Sequence, residues 1–207
     1  MSLEDDKIAL RHRMRTLRAE AAARDPDAAE KLAAVFPMKL LERYGPVVSA
    51  YVPINEELDP MPLLARLARA GAETCLPRMT KAGISWRAWS PGEPLERRGF
   101  GLSEPPDDAP ELTPTLVLTP LLAFDTQGNR LGYGRGHYDQ ALSALRARGR
   151  AFACALAYAA QQIDRVPSEP HDQPLDWAVT PAGSVPLFMM RNRAALTAPA
   201  PDTDPAA

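Results

Sequence analysis

The sequence predicts an α/β protein, a sheet carrying helices on both faces. Apolar runs of strand length at 47–52, 116–122 and 152–158 alternate with segments whose apolar residues recur at helical spacing. One of these runs passes through a glycine-rich turn directly into a helical pattern. The composition, 45% hydrophobic and 24% charged over 207 residues, is that of one globular domain with a sizeable core.

The first helix is expected at 3–24, where Leu10, Met14, Leu17 and Ala21 share one face. Lys7, Arg11, Arg15 and Arg18 form a basic stripe beside it. The stripe reads either as a solvated face or, for Lys7 and Arg11 one turn apart, as a grip on phosphates. A second helix at 28–44 follows Asp25-Pro26 and ends at Gly45-Pro46. The strand at 47–52 leads through Pro53 to a helix at 61–70, closed by Gly71. A strand end running into a helix start is where ligands sit in open α/β sheets. Glu56, Glu57 and Asp59 lie there, and Asp59 reads as a helix cap. A strand follows at 73–76, then an outer strand at 84–89. Its Trp86 and Trp89 either pack on the sheet or wall a ligand site. The acidic, proline-rich stretch 105–114 has no functional reading.

The segment that organises the chain begins with the apolar run ending at Leu122. Asp125 and Gly128 mark a turn. Gly132, Gly134 and Gly136 then alternate with Tyr133, Arg135 and His137, and Tyr138 and Asp139 follow. Ala141, Leu142 and Leu145 continue at helical spacing, ended by Arg146, Arg148 and Gly149. Such a strand–glycine–helix unit can bring backbone N–H groups and a helix N-terminus to an anion, or it can be a tight surface turn. It is neither a Walker A loop, lacking Gly-Lys-Ser/Thr, nor a dinucleotide loop, its third glycine being one residue early. A strand at 152–158 and a closing strand near Val179-Thr180 complete the sheet. From Thr197 the sequence reduces to Thr, Ala, Pro and Asp, so a domain over 1–196 and a disordered tail over 197–207 are expected.

The net charge of −2 carries no nucleic-acid footprint, so any anion site must be a local basic cluster. No apolar run approaches a membrane span. Glu4, Asp5 and Asp6 replace the basic start of a secretory leader. Cys75 and Cys154, both in apolar segments, read as buried free thiols of a cytoplasmic protein.

Phe124-Asp125, followed by Gly128-Asn-Arg-Leu-Gly-x-Gly-x-Gly-x-Tyr-Asp139, closely resembles the signature of 5-formyltetrahydrofolate cyclo-ligases. The resemblance runs from Lys7 to about Thr180. It implies the Rossmann-like three-layer α/β/α sandwich of the sugar-isomerase and CoA-transferase group. It also implies ATP- and Mg²⁺-dependent conversion of 5-formyltetrahydrofolate to 5,10-methenyltetrahydrofolate by a monomer acting on small molecules. By resemblance, Lys7 and Arg11 match a Lys-x-x-x-Arg that contacts ATP, together with Arg130, Gly132, Gly134, Arg135, Gly136, His137 and Tyr138. Arg130, Arg135 and Tyr138 take the catalytic positions. Val52, Glu57, Phe100, Tyr133 and His137 take the substrate positions, with Glu56 as the register alternative to Glu57. Asp139 and Asp172 take the metal positions, with Asp176 as the alternative to Asp172.

Three positions depart from the family pattern. Pro60 replaces a threonine, Thr115 replaces an aspartate, and His137 replaces an aromatic residue, commonly tyrosine. Histidine brings an ionisation that tyrosine lacks near neutrality. His137 and Pro60 keep open the reading of a nucleotide- or folate-binding protein without turnover, Thr115 has no functional reading, and an ATP-using enzyme of the same fold with another substrate is a further alternative.

Overall fold

In a computed structural model that describes residues 3–98, 102–149 and 151–190, the chain builds a seven-stranded sheet. The elements are α1 (Leu3–Arg24), α2 (Ala28–Val35), α3 (Lys39–Tyr44), β1 (Val47–Ser49), α4 (Met61–Arg69), β2 (Glu73–Thr80) and β3 (Gly83–Ala88). They continue with β4 (Glu96–Arg97), β5 (Ser103–Glu104), β6 (Leu116–Thr119), β7 (Ala123–Phe124), β8 (Arg130–Leu131), α5 (His137–Arg148), β9 (Phe152–Leu156), β10 (Trp177–Thr180) and β11 (Gly183–Val185). The sheet order is β11-β10-β9-β6-β1-β2-β3. The five inner strands run parallel, and the two edges, β3 and β11, are antiparallel.

Alternate side chains of the inner strands go to opposite faces, as the pleat requires. Leu76, Val48, Leu116, Leu118, Phe152, Cys154, Leu156 and Val179 join one core with Leu32, Phe36, Leu63, Leu64 and Leu67 of the α2–α4 layer. Cys75, Val117, Ala153, Ala155 and Ala178 join a second core with Ala141, Leu142 and Leu145 of α5. The first face is made of large aliphatic groups and the second is rich in alanine, which gives α5 a shallow bed. The expected α/β sheet with helices on both faces is therefore present.

The topology changes direction between β1 and β6. From β1 the chain crosses through α4 to β2 on one side; from β6 it crosses through α5, on the opposite face, to β9 on the other. Loops leaving the carboxyl ends of two such strands part and leave a crevice. Tyr51 and Val52 follow β1, and Pro120 follows β6; all three line the main cleft.

Several expected boundaries shift. The helix expected at 28–44 is two helices, because Pro37 lacks an N–H and drives Phe36 to an extended φ −59, ψ 126. The strand expected at 47–52 pairs only at 47–49, and the strand beginning at Leu116 stops before Pro120. β2 is longer than the expected 73–76, reaching Thr80 in a hairpin with β3. The end of α4 follows the sequence: Gly71 adopts φ +96, its N–H bonds Ala68 O, and Ala72 N–H bonds Leu67 O, the paired bonds of a Schellman ending. Asp59 accepts from Met61 N–H at 2.9 Å, in keeping with its capping role. Trp86 and Trp89 are buried in the two cores and pack on the sheet.

Asp125 fixes the β7–β8 hairpin from which the glycine loop departs. It is buried, and its carboxylate accepts from Gln127 N (2.9 Å), Asn129 N (3.0 Å), Asn129 Nδ2 (2.9 Å) and Val166 N (3.0 Å). Alanine there leaves three backbone N–H groups without an acceptor. Asp125→Ala is expected to lose about 3 kcal/mol or more of stability, seen as a fall in Tm of roughly 6–12 °C in a thermal melt.

Candidate functional site

The crevice at the strand ends is a cavity of about 1000 Å³. α1 forms one wall with Glu4, Lys7, Arg11 and Arg15. The glycine loop and the start of α5 form a second, from Arg130 to Asp139. The segment after β1, from Tyr51 to Glu57, forms a third, and Met79, Ile84 and Leu102 add an apolar side. Glu169, His171 and Asp172 close the remaining edge. Every residue expected at the site lines this one cleft except Phe100, which lies outside the described residues.

Local structure explains the loop. Gly134 has φ +92 and Gly136 φ +66, both in the left-handed region where glycine is favoured. At Gly134 a Cβ would stand 3.1 Å from the Arg11 guanidinium carbon, so a side chain there would crowd Arg11. Arg11 also donates from Nε to Gly132 O at 3.3 Å and from Nη1 to Glu4 at 2.8 Å. Gly136 is the residue before α5, whose N-terminal end opens on the cleft.

The Tyr133 hydroxyl donates to Glu57 Oε1 at 2.9 Å, tying the glycine loop to the segment after β1. Glu57 Oε2 accepts from Ile54 N–H at 3.0 Å. Glu57 is buried in the cleft wall whereas Glu56 is exposed, which places Glu57 in the register facing the cavity. Burial pushes the Glu57 carboxyl above its ordinary value, opposed by the Ile54 and Tyr133 hydrogen bonds and by Arg18. Burial likewise pushes the Tyr133 hydroxyl up to about 12 and Tyr138 well above the usual phenol range, so both are neutral donors.

Lys7, Arg11 and Arg130 each meet a carboxylate. Lys7, only 6% exposed, bonds Glu169 at 2.7 Å and lies 3.5 Å from Asp172. Burial lowers its pKa, but these carboxylates outweigh that, and the net shift is upward. Arg130 meets Asp139 Oδ1 at 2.6 Å and donates to Gln173 O. The same Asp139 oxygen accepts from Gln173 N–H at 2.9 Å, so Asp139 clamps the 169–173 loop onto α5. Asp176 does not line the cleft; it bonds Arg146 and Ala153 N–H, each at 2.9 Å, joining α5 to β9. Arg135 is exposed on the loop and His137 half-buried beside it.

At Lys7 and Arg18 the structure corrects the solvated-face reading, whereas Arg15 is exposed. Lys7 and Arg18 are buried on the side that carries Met14, and Arg18 is 1% exposed. Sequence reasoning also passed over Glu169 as the partner of Lys7 and gave Arg18 no role. The spacing of Lys7, Arg11, Met14 and Arg18, at i, i+4, i+7 and i+11, was the available signal that all four share one face.

Comparisons with known proteins bear on the family and the fold. Residues 4–181 match the model of the 5-formyltetrahydrofolate cyclo-ligase family. The chain belongs to that family. It is 37% identical over 150 residues to the 5-formyltetrahydrofolate cyclo-ligase of Mycolicibacterium smegmatis, covering 66% of this chain and 74% of the relative. It is 30% identical over 175 residues to the Haemophilus influenzae 5-formyltetrahydrofolate cyclo-ligase, covering 80% of this chain and 92% of the relative. Among solved structures, the Aquifex aeolicus 5,10-methenyltetrahydrofolate synthetase superposes with TM-score 0.70 at 26% identity, over 87% of this chain and 92% of that one. The Mycoplasma pneumoniae 5,10-methenyltetrahydrofolate synthetase shares the fold, with TM-score 0.62 at 19% identity over 85% and 99%. The family uses ATP as a co-substrate.

The upward shift at Glu57 has a pH signature. The folded state binds the Glu57 proton more tightly than the unfolded chain, so this group's stabilisation is complete below the unfolded pKa. It is lost as pH rises through the folded pKa. Glu57→Gln removes the ionisation. As pH rises above the ordinary glutamate pKa, thermal melts are expected to show the parent losing stability relative to Glu57→Gln. A constant offset between the two melting curves would contradict it.

Proposed function

We propose that this chain converts 5-formyltetrahydrofolate to 5,10-methenyltetrahydrofolate using ATP, releasing ADP and phosphate. The observation that carries the reading is the Tyr133–Glu57 hydrogen bond, which couples a glycine loop to a buried carboxylate inside one cleft. The cationic half, with Lys7, Arg11, Arg130 and Arg135, suits a polyphosphate; the half with Val52, Ile54, Glu57 and Met79 suits a flat ring carrying N–H donors. The formyl oxygen attacks the γ-phosphorus and the bond to ADP breaks. The ten-position nitrogen then attacks the formyl carbon and loses its proton, and phosphate departs with the former formyl oxygen. Such a transfer needs alignment and charge neutralisation more than a protein nucleophile. In this reading Arg130 and Arg135 neutralise the transferring group, the glycine-loop N–H groups and Arg11 orient the phosphates, and Tyr138 is a neutral donor beside them. Glu57 orients the pterin, flanked by Val52, Tyr133 and His137.

Among the described residues no three His, Cys, Asp or Glu side chains cluster as a metal cage. Mg²⁺ does not require one; it takes one or two carboxylates with phosphate oxygens and waters. Asp139 and Asp172 fit that donor set, since both line the cleft and the hydrogen bonds found at Asp139 fall on Oδ1. When bound, the ion would supply charge neutralisation at the phosphates. We read the enzyme as a monomer of the cytoplasm, with residues 1–196 as its domain. The free, buried state of Cys75 and Cys154 supports a reducing compartment.

Purified protein with Mg-ATP and 5-formyltetrahydrofolate is expected to yield the methenyl product, followed by its near-ultraviolet absorbance. Binding of both substrates without product would support a sequestering protein. ATP turnover only with another substrate would support a different enzyme of this fold. Asp139→Asn retains an oxygen acceptor for Arg130 and Gln173 but loses the charge, so it is expected to fold normally. Its turnover should fall by at least about tenfold, with a raised Mg²⁺ requirement in initial rates at saturating ATP. Parental rates at ordinary Mg²⁺ would confine Asp139 to its clamp on the 169–173 loop.

A further inference from the structure

Behind the cleft wall, Arg18 is a buried cation that the proposed chemistry does not use. It does not line the cavity. Its Nη1 lies 3.8 Å from Glu57 Oε1 and 3.5 Å from Leu121 O, and its guanidinium carbon is 5.6 Å from the centre of the Tyr133 ring. Its Nε is buried without a hydrogen-bond partner. A guanidinium held in this way, with one donor unused, is poorly explained as an anchor for α1, because a methionine or leucine would fill the same space without desolvating a charge. Its position is explained by its neighbours.

We infer that Arg18 is a positioning residue for substrate recognition, holding Glu57 as an anion and the Tyr133 ring in place so that the carboxylate faces the N–H donors of the reduced pterin. The inference rests on the assignment of Glu57 to the folate substrate. The groups around Glu57 leave Arg18 as the positive partner: from the other elements come Tyr133 of the glycine loop, Tyr51 after β1 and Tyr138 of α5, all phenols. The hydrogen bonds from Ile54 N–H and Tyr133 also favour the carboxylate anion, and Arg18 adds to them the full positive charge beside it. Arg15 also lies over Tyr133, its guanidinium carbon 5.8 Å from the ring centre, which places two cations of α1 against the residue that joins loop and carboxylate.

Arg18→Gln keeps a polar side chain and removes the charge. In steady-state kinetics it should raise KM for 5-formyltetrahydrofolate by about tenfold or more, with KM for ATP within about twofold of the parent. Because Arg18 acts through Glu57, the same change in a Glu57→Gln background should add less than about twofold. A purely structural Arg18 would affect both substrates alike and add its full effect in that background, and either result would overturn the inference. In the ligand-free protein, the Glu57 carboxyl can be followed by carbon-13 NMR and assigned by its loss in Glu57→Gln. Its midpoint should rise by about one pH unit or more in Arg18→Gln. An unmoved midpoint would also overturn the inference. The NMR arm decides even if the parent shows no turnover, an outcome that would instead remove the proposed reaction. Should Arg18→Gln not fold, Arg18→Lys keeps the charge on a side chain that lacks the guanidinium fork. It is then expected to raise folate KM a few-fold at constant ATP KM, and an equal change in both would sink the inference.

Discussion

The hydrogen bond from Tyr133 to Glu57 joins residues 76 positions apart and defines the cleft. It is possible only because the sheet switches direction between β1 and β6, so that the loop after β1 and the hairpin after β6 leave adjacent strand ends on diverging paths. Asp125 shapes that hairpin, Gly134 and Gly136 let its exit fold back toward α1, and Glu57 receives the Tyr133 hydroxyl. Each step depends on the one before it. Loss of the hairpin geometry would move Tyr133, Arg130 and the start of α5 together.

Energetically the site is built against the usual preference for apolar interiors. Lys7, Arg18 and Glu57 are all buried. A buried ion pair seldom contributes net stability, because desolvation consumes most of the Coulombic gain. The fold supports these charges with the two large apolar cores on either side of the sheet, where the inner strands are almost fully buried. α1 has a small core of its own, Met14 against Leu122, Ala123, Leu131 and Val166. That contact fixes the helix so that its cationic residues meet the cleft.

What the sequence disclosed and what it hid divide by range. The glycine loop, the strand preceding it, the Gly71 ending of α4 and the pair Lys7 and Arg11 are local patterns, legible because turn chemistry and helical spacing act over a few residues. The partner of Lys7 stands 162 residues away, and no local pattern announces it. Arg18 was hidden for a different reason: periodicity counts arginine as a solvent-facing residue, so a buried one looks like the edge of an apolar stripe. The break at Pro37 was legible in principle, since a proline inside a helical pattern interrupts it, but the flanking apolar spacing concealed the break. The two-residue strands of β4, β5, β7 and β8 are too short to carry any alternation at all.

The ion pairs also constrain how a polyphosphate would enter. Lys7 holds Glu169, Arg11 holds Glu4 and Arg130 holds Asp139. On the proposed reading, binding therefore exchanges carboxylate partners for phosphate oxygens instead of filling bare cationic sites. The favourable term is the difference between two kinds of ion pair, much smaller than either pair alone. Arg135 differs, since it is exposed on the loop between Gly134 and Gly136. On the proposed reading it can reach an anion without first giving up a carboxylate partner. On that reading the exchange also frees Glu4, Glu169 and Asp139, three carboxylates of the cleft wall, from their cations. On that reading the cleft would favour an anion able to meet several of its cations at once over one that meets a single cation.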